Sequence, residues 1–434
     1  MPLSDKQFTN ELDVDQVLVL RICNKVVTFI SLEEIYLKYF LGGVFMFYLG
    51  IDIGKYTHVA SLMNDNAKII FKAFSFSNSS EGAQSLLQKL QSYRSNLEIG
   101  MEATGHYWLS LYSFLIENGF VIHVINPIQT DGWRKSVEIR KRKTDAIDSV
   151  LIADFIRYGQ FLETSLADEN TMSLRNLSRF RNYLISSIGD LKRKTICVLD
   201  QIFPEYTSVF SDVFGKTSKE LLLQINTPYD FENITSEQLS EVLSKITLKK
   251  FAESKINTIS QKAKTSFGIT FCIESLSFEL KLLIQQICFI EQQVLDTEKK
   301  ISVLLKKINS PITTVPGVGD TIAAVILGEI GDINRFSSAP KLVAYAGLDA
   351  SVSQSGTYHS ENNRMSKRGS PYLRKALFQA AFIACYHDPV FSAYYQQKIA
   401  EGKHHKVAVG AVARKLCHTI YAVLKNNVPY EVKQ

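Results

Sequence analysis

Apolar positions along the chain fall into two regimes. Between residues 47 and 125 they come as short runs bounded by turn residues: Phe47–Ile53, His58–Met63, Lys68–Ser75, Leu97–Glu102 and Phe120–Ile125 read as strands. Asn64-Asp-Asn66 supplies the turn between the second and third, so the first three form an antiparallel meander. A helix over about 81–94, carried by Leu86, Leu87 and Leu90, separates the third and fourth strands, and another helix begins near Gly105. The fifth strand closes at Asn126-Pro127, and the next helix opens at Asp145. The order β-β-β-α-β-α-β-α predicts a mixed five-stranded sheet covered by helices.

Farther on, the spacing alternates three and four, which is the heptad signature of a coiled coil. One seam runs over 172–203 through Leu174, Leu177, Leu184, Ile188, Leu191, Val198 and Ile202, with Arg181 and Thr195 interrupting it and Phe203-Pro-Glu-Tyr206 ending it. A cleaner seam joins Ile273, Leu276, Leu280, Leu283, Ile287, Ile290, Val294, Thr297, Ile301, Leu304 and Ile308, with Thr297 its only polar member. Such a helix is about 50 Å long. The two seams pair with each other or with a second subunit, and they carry no chemistry. Residues 207–268 between them read as an inserted helical subdomain. Shorter helical stretches follow at 335–348, 376–385 and 404–426, the last amphipathic with Lys406, Arg414 and Lys415.

Length changes the picture first: 434 residues exceed one compact core and call for two or three domains. The expected division is an extension over 1–45, an α/β domain over 46–165, a coiled-coil domain over 166–310 and a C-terminal domain over 311–434. With 46% apolar and 21% charged residues, the chain has the balance of a globular protein rather than a disordered one. Its formal net charge of +6 leans mildly toward a polyanionic partner. The six cysteines are scattered without a C-x-x-C pair, which indicates neither a zinc site nor a disulfide framework and fits buried thiols in a reducing cytosol. The most hydrophobic run, Tyr39–Ile51, falls short of the ~20 residues that span a bilayer, so no membrane association is expected. The strong pattern starts at Met46, which could serve as an initiator; residues 1–45 then read as an accessory extension or an upstream over-call of the reading frame.

The candidate chemistry lies in Lys141-Arg-Lys-Thr-Asp145-Ala-Ile-Asp148. Asp145 and Asp148 share one helix face, where two carboxylates repel each other unless solvated, protonated or bridged by a cation. Asp52 ends the first strand and Glu102 the fourth, and strand ends are where ligands gather in open α/β sheets. Each of the four alone reads as a cap or a surface acid; jointly they form an acidic cluster able to bind one or two divalent cations that hold a phosphodiester. Arg140, Lys141, Arg142 and Lys143 form either a solvated charge run or a contact to nucleic-acid backbone beside the metals. Val315-Pro-Gly317-Val-Gly319 leading into an Ala-rich helix resembles the turn of helix-hairpin-helix modules, whose glycines let backbone N–H groups approach phosphate. The serine-rich segment 349–360 reads first as a flexible connection, yet Lys367, Arg368, Arg374 and Lys375 follow it closely, a setting that suits phosphate and leaves room for a nucleophilic serine.

Taken together, these blocks resemble the DEDD transposases of bacterial insertion sequences, the IS-one-ten/IS-eleven-eleven group. The matching blocks are Leu-Gly-Ile-Asp52-Ile-Gly-Lys, Met-Glu102-Ala-Thr-Gly, Lys-Thr-Asp145-Ala-Ile-Asp148, Phe203-Pro-Glu-Tyr, Val-Pro-Gly-Val-Gly319, Tyr-Ala-Gly-Leu348, Gln-Ser355-Gly and Ser-Lys-Arg-Gly369 with Leu373-Arg374. They cover the chain from Met46 to about residue 425; residues 1–45 have no counterpart, and Ser149 stands where alanine is common.

The resemblance implies an α/β RuvC-like (RNase H fold) N-terminal domain whose Asp52, Glu102, Asp145 and Asp148 bind magnesium. It also implies a coiled-coil middle and a mainly α-helical C-terminal transposase domain with Ser355 as nucleophile. It further implies a recombinase acting on double-stranded donor and target DNA, guided by an element-encoded, structured bridge RNA, and assembled as a tetramer whose subunits share active sites. Such an enzyme would work in the bacterial cytoplasm at the nucleoid. Two other readings stay open at this point: a metal-dependent nuclease with water as nucleophile, and a nucleic-acid-binding scaffold whose carboxylates are surface groups.

Overall fold

A computed structural model of the chain describes residues 46–137, 144–161, 168–235, 237–238, 241, 249–350, 354–355, 358–359 and 364–432. The expectations for residues 1–45 and for Arg140, Lys141, Arg142 and Lys143 lie outside these. The chain divides into two compact units with the boundary between residues 165 and 166.

In the first unit, β1 (Phe47–Asp52), β2 (Thr57–Asn64) and β3 (Ile69–Ser77) form the expected antiparallel meander. Helix α1 (Ser80–Leu90) follows, capped by the Ser79 hydroxyl, which accepts from the Gly82 N–H. Strand β4 (Leu97–Glu102) pairs parallel with β1, α2 (Trp108–Glu117) crosses over, and β5 (Val121–Ile125) pairs parallel with β4. The sheet order β3-β2-β1-β4-β5 is that of an RNase H-like fold. Parallel strands require cover on both faces, and Leu49, Ile51, Ile99 and Met101 are fully buried.

Two helices then close the unit: α3 (Pro127–Val137) and α4 (Asp145–Tyr158). The second is the helix expected at Asp145; the first was not expected. Its start signal was present, since the Asn126 carboxamide oxygen accepts from the Ile128 N–H and Pro127 takes the first helical position. Helix α4 rests directly on the sheet backbone. Gly50 and Gly100 stand opposite each other in register, and a Cβ at Gly50 would come within 2.0 Å of the Ser149 carbonyl oxygen.

The second unit is mainly helical. The two seams become α5 (Glu169–Ile202) and α9 (Ile273–Ile308), and they pack on each other within the chain, with Leu184, Ile188, Ile287 and Val294 in one cluster. The interruptions are satisfied locally: Arg181 pairs with Glu298 at 2.6 Å, and the Thr195 and Thr297 hydroxyls donate to the Leu191 and Gln293 carbonyls at 2.8 and 2.7 Å. Between them α6 (Lys216–Gln224), α7 (Pro228–Asn233) and α8 (Lys249–Lys264) form the expected run of short helices.

Helices α10 (Asp320–Ile330), α11 (Ala339–Ala346), α12 (Pro371–His387), α13 (Pro389–Ala400) and α14 (His405–Asn426) build the largest core together with Leu174, Ile301 and Leu304. Helix α13 was also not expected, although Asp388 caps it and Pro389 opens it. Among the described residues α14 alone is long and apolar enough to cross a membrane; its Ala408, Val412, Leu416 and Ile420 are spent on this core. Of the cysteines, Cys385 and Cys417 are buried as expected, whereas Cys197 and Cys272 are exposed; Cys197 lies on the side of α5 away from the seam.

Candidate active site

The carboxylate edge is built from strand order and helix direction. Asp52 and Glu102 end two adjacent parallel strands, and each lies two residues beyond a glycine that faces α4, so alternation turns both toward that helix. Helix α4 runs antiparallel to β1. Near its C-terminal end the Arg157 guanidinium donates to the Asp65 carbonyl at 3.3 Å, just past the residue of β2 that pairs with the start of β1. Its N-terminal end, with Asp145 and Asp148 in the first turn, therefore lies over the end of the sheet where Asp52 and Glu102 stand. Thr144 caps the helix by accepting from the Ile147 N–H, and first-turn acids are favoured by the helix dipole.

The four acids differ in setting. Asp145 is exposed, Asp52 and Glu102 are half-buried, and Asp148 is buried. The unexpected α3 touches two of them with one face. Thr130 Oγ1 donates to Glu102 Oε2 at 2.9 Å, and one turn on, Arg134 Nη2 stands 3.0 Å from Asp148 Oδ1. The other Glu102 oxygen accepts from the Thr104 hydroxyl at 3.1 Å. As hard oxygen donors at a single sheet edge, the acids suit a divalent cation in chemistry. Among the described residues, however, no three His, Cys, Asp or Glu side chains stand close enough together to hold a metal ion. Ser149, the departure from the usual alanine, finds a buried partner: its hydroxyl lies 2.8 Å from that of Ser61.

The second unit holds the other expected residues. Ser355 lies in a two-residue strand β6 (Gln354–Ser355) paired antiparallel with β7 (Tyr358–His359), so its backbone is placed in a hairpin while its side chain is outside the described residues. The Tyr-Ala-Gly-Leu348 and Ser-Lys-Arg-Gly369 blocks interlock. Gly347 has φ 66° and abuts the Arg368 carbonyl, Gly369 has φ 85° and abuts the Tyr345 carbonyl, and a Cβ at either would clash at 2.1 or 2.0 Å.

This leaves Lys367 and Arg368 exposed. Arg374 donates from Nη1 to the Ala346 carbonyl at 3.1 Å, and Lys375 donates to Asn182 Oδ1 at 3.2 Å. Gly317 has φ 79°, and a Cβ there would lie 2.2 Å from the Ala380 carbonyl oxygen of α12, whereas Gly319 caps α10 in open space.

Sequence reasoning also missed a buried acid beneath this knot. Glu329 is 2% exposed and binds Arg179 through two bonds of 2.6 and 3.0 Å, with the Ser370 hydroxyl at 2.8 Å and Arg175 at 3.8 Å. Burial alone would push its carboxyl up, but the bonds from Arg179 and Ser370 and the two guanidinium charges hold it below the usual range. The only sequence signal was an acid inside an otherwise apolar helical run, Ala323–Ile330.

Residues 49–204 match the family model of DEDD transposases of the IS110 type, described as "Transposase", and residues 309–396 match "Transposase IS116/IS110/IS902 family", together covering more than half of the chain. The chain belongs to the IS110 family of DEDD transposases. It is similar to the pilin gene-inverting protein of Moraxella lacunata, 26% identical over 388 residues that span 88% of this chain and 97% of the relative. An uncharacterized 43.6 kDa protein of insertion element IS110 from Streptomyces coelicolor is 28% identical over 67% of this chain and 72% of its own length. The mini-circle putative transposase for IS117 of the same organism is 21% identical over 83% and 89%. This transposase is thus a DNA strand-transfer enzyme, and its family implies DNA binding and a divalent metal.

Proposed function

We propose that this transposase excises and inserts an insertion sequence by attack of Ser355 on DNA phosphodiesters, with Asp52, Glu102, Asp145 and Asp148 holding magnesium. The observation that carries the reading is the convergence of strand ends and helix start that sets these acids at one sheet edge, inside the span that matches the DEDD family. Bound magnesium would supply charge stabilisation at the phosphate. The chain's own part is to hold four oxygen donors on rigid elements and to present a hydroxyl for attack. The Ser355 Oγ–P bond forms as one P–O bond of a strand breaks; the serine proton leaves to solvent or a base, and the departing deoxyribose oxygen takes up a proton.

The phosphoserine ester conserves the bond energy, so a second strand end can displace the serine and be rejoined without an external energy source. The Moraxella relative supports this choice over hydrolysis: inverting a gene, as its name states, needs cut ends to be rejoined. In this reading Arg140, Lys141, Arg142, Lys143, Lys367 and Arg368 contact nucleic-acid phosphate, which gives affinity that falls steeply with salt. A structured bridge RNA encoded by the element pairs with donor and target DNA. The working assembly is a dimer or tetramer in the bacterial cytoplasm, joined in part through the long helices.

The test is a trapping experiment on labelled double-stranded DNA carrying the element's ends, with co-purifying RNA retained. The wild type forms a denaturation-resistant protein–DNA adduct, and Ser355→Ala forms none. Cleavage by Ser355→Ala at wild-type rate, without adduct, assigns the reaction to water and a RuvC-type nuclease. Full activity in Asp52→Asn and Glu102→Gln without divalent ion would remove the acids from the chemistry altogether.

A further inference from the structure

The face of α3 that meets the carboxylate edge has a role that the four acids do not explain. Arg134 lies with 20% of its side chain exposed against an Asp148 side chain exposed by 6%; its Nη2 stands 3.0 Å from Asp148 Oδ1 and its Nη1 3.9 Å from Asp131 Oδ1. Its Nε is buried without a hydrogen-bond partner among the described residues. Nε therefore takes no part in the pairing, unlike the fork through Nε and Nη2 by which Arg179 holds Glu329. One turn earlier on the same helix, Thr130 holds Glu102. Residues i and i+4 of one helix thus contact two of the four acids, one with a neutral hydroxyl and one with a full positive charge.

We propose that Arg134 is a positioning residue that competes with a divalent cation for Asp148, and so sets how tightly the carboxylate edge binds metal. The proposal rests on the reading that these acids are the metal ligands. A guanidinium and a metal ion draw on the same lone pairs of Asp148 Oδ1, and two cations on one carboxylate repel each other. In the absence of an ion, Arg134 offsets the cost of burying the Asp148 charge beside Asp145; as an ion binds, the arginine must yield. The bare Nε makes that exchange less costly than breaking a complete fork.

Titration calorimetry of the full chain with MnCl2 tests the idea without DNA and without turnover. Arg134→Gln keeps the length and a hydrogen-bond donor but loses the charge, and is expected to bind manganese about tenfold more tightly, within the range of ordinary site-to-site coupling. Arg134→Lys restores the charge and returns affinity to near the wild-type value. Asp148→Asn weakens binding whatever the role of Arg134, and so tests the metal reading separately. If wild type binds and Asp148→Asn does not, while Arg134→Gln matches wild type with an unchanged circular dichroism spectrum, the competition is wrong and the ligand set stands. If neither wild type nor Arg134→Gln binds manganese, both readings fall.

Discussion

The two units each bury an acid against an arginine, and the two pairs are built differently. Glu329 has both oxygens engaged by Arg179, a hydroxyl from Ser370 and a second guanidinium nearby. Asp148, similarly buried, meets Arg134 Nη2 at 3.0 Å while the Nε of that arginine has no hydrogen-bond partner among the described residues. A saturated network resists exchange and holds a shape; here it joins α5 and α10 to the start of α12, just below exposed Lys367 and Arg368. The pair at Asp148 lacks that saturation on the arginine side, which makes its arginine easier to displace.

The contrast predicts unequal outcomes when each acid is neutralised. Glu329→Gln strands two arginines at a buried junction; because Arg179 keeps 40% side-chain exposure, the loss sits at the low end of the range for broken buried pairs, about 3 kcal/mol. Asp148→Asn relieves like-charge repulsion with Asp145 but also removes the acid that faces Arg134; the two effects oppose each other, so the loss of stability should be smaller than for Glu329→Gln, while strand transfer is abolished. Chemical denaturation can separate the units, since both tryptophans, Trp108 and Trp133, lie in the first and helical ellipticity comes mainly from the second. Equal destabilisation by the two substitutions would erase the distinction.

Acid offers a milder version of the same comparison. The carboxyl of Glu329 is held below its ordinary value, so its contribution is fully present above the unfolded value of about 4.3 and is lost as pH falls through the lower folded value. Helical ellipticity of the second unit is expected to drop below about pH 4, and Glu329→Gln should flatten that part of the profile. A wild-type and a mutant profile of the same shape would assign the acid sensitivity to other groups.

Much of this was legible beforehand, for identifiable reasons. Strand ends at Asp52 and Glu102 follow from short apolar runs, and the α9 seam from Ile273 to Ile308 is matched by the helix observed over Ile273–Ile308. Periodicity reports a face and not its partner, so nothing local to Glu329 points to Arg179, 150 positions away. The helix that carries Thr130 and Arg134 was overlooked because its apolar pattern is weak: Thr130 is its only buried residue. Its Asn-Pro start was the available signal. The basic residues divided on the same principle, for Arg374 turned out to close the end of α11, a demand of chain geometry that composition does not register.

The smallest expected effect probes what seats the acid-bearing helix. Ser149 is fully buried, and its hydroxyl both meets Ser61 and lies 3.2 Å from the Ala146 carbonyl of its own helix. Ser149→Ala would leave the Ser61 hydroxyl still accepting from the Ala73 N–H at 3.1 Å, but would take away the acceptor that Ser149 offers to the Ser61 proton. The cost should therefore be about 1 kcal/mol, the low end for one unsatisfied buried donor. The position of Asp148 should not change, because α4 lies so close on the Gly50 backbone that there is no room for even a Cβ. Manganese affinity measured by the same calorimetry should match wild type. A severalfold change in Ser149→Ala would mean that the serine pair, rather than the glycine seat, sets where Asp148 stands, and the sheet edge would then owe its geometry to a residue that was read as a harmless departure.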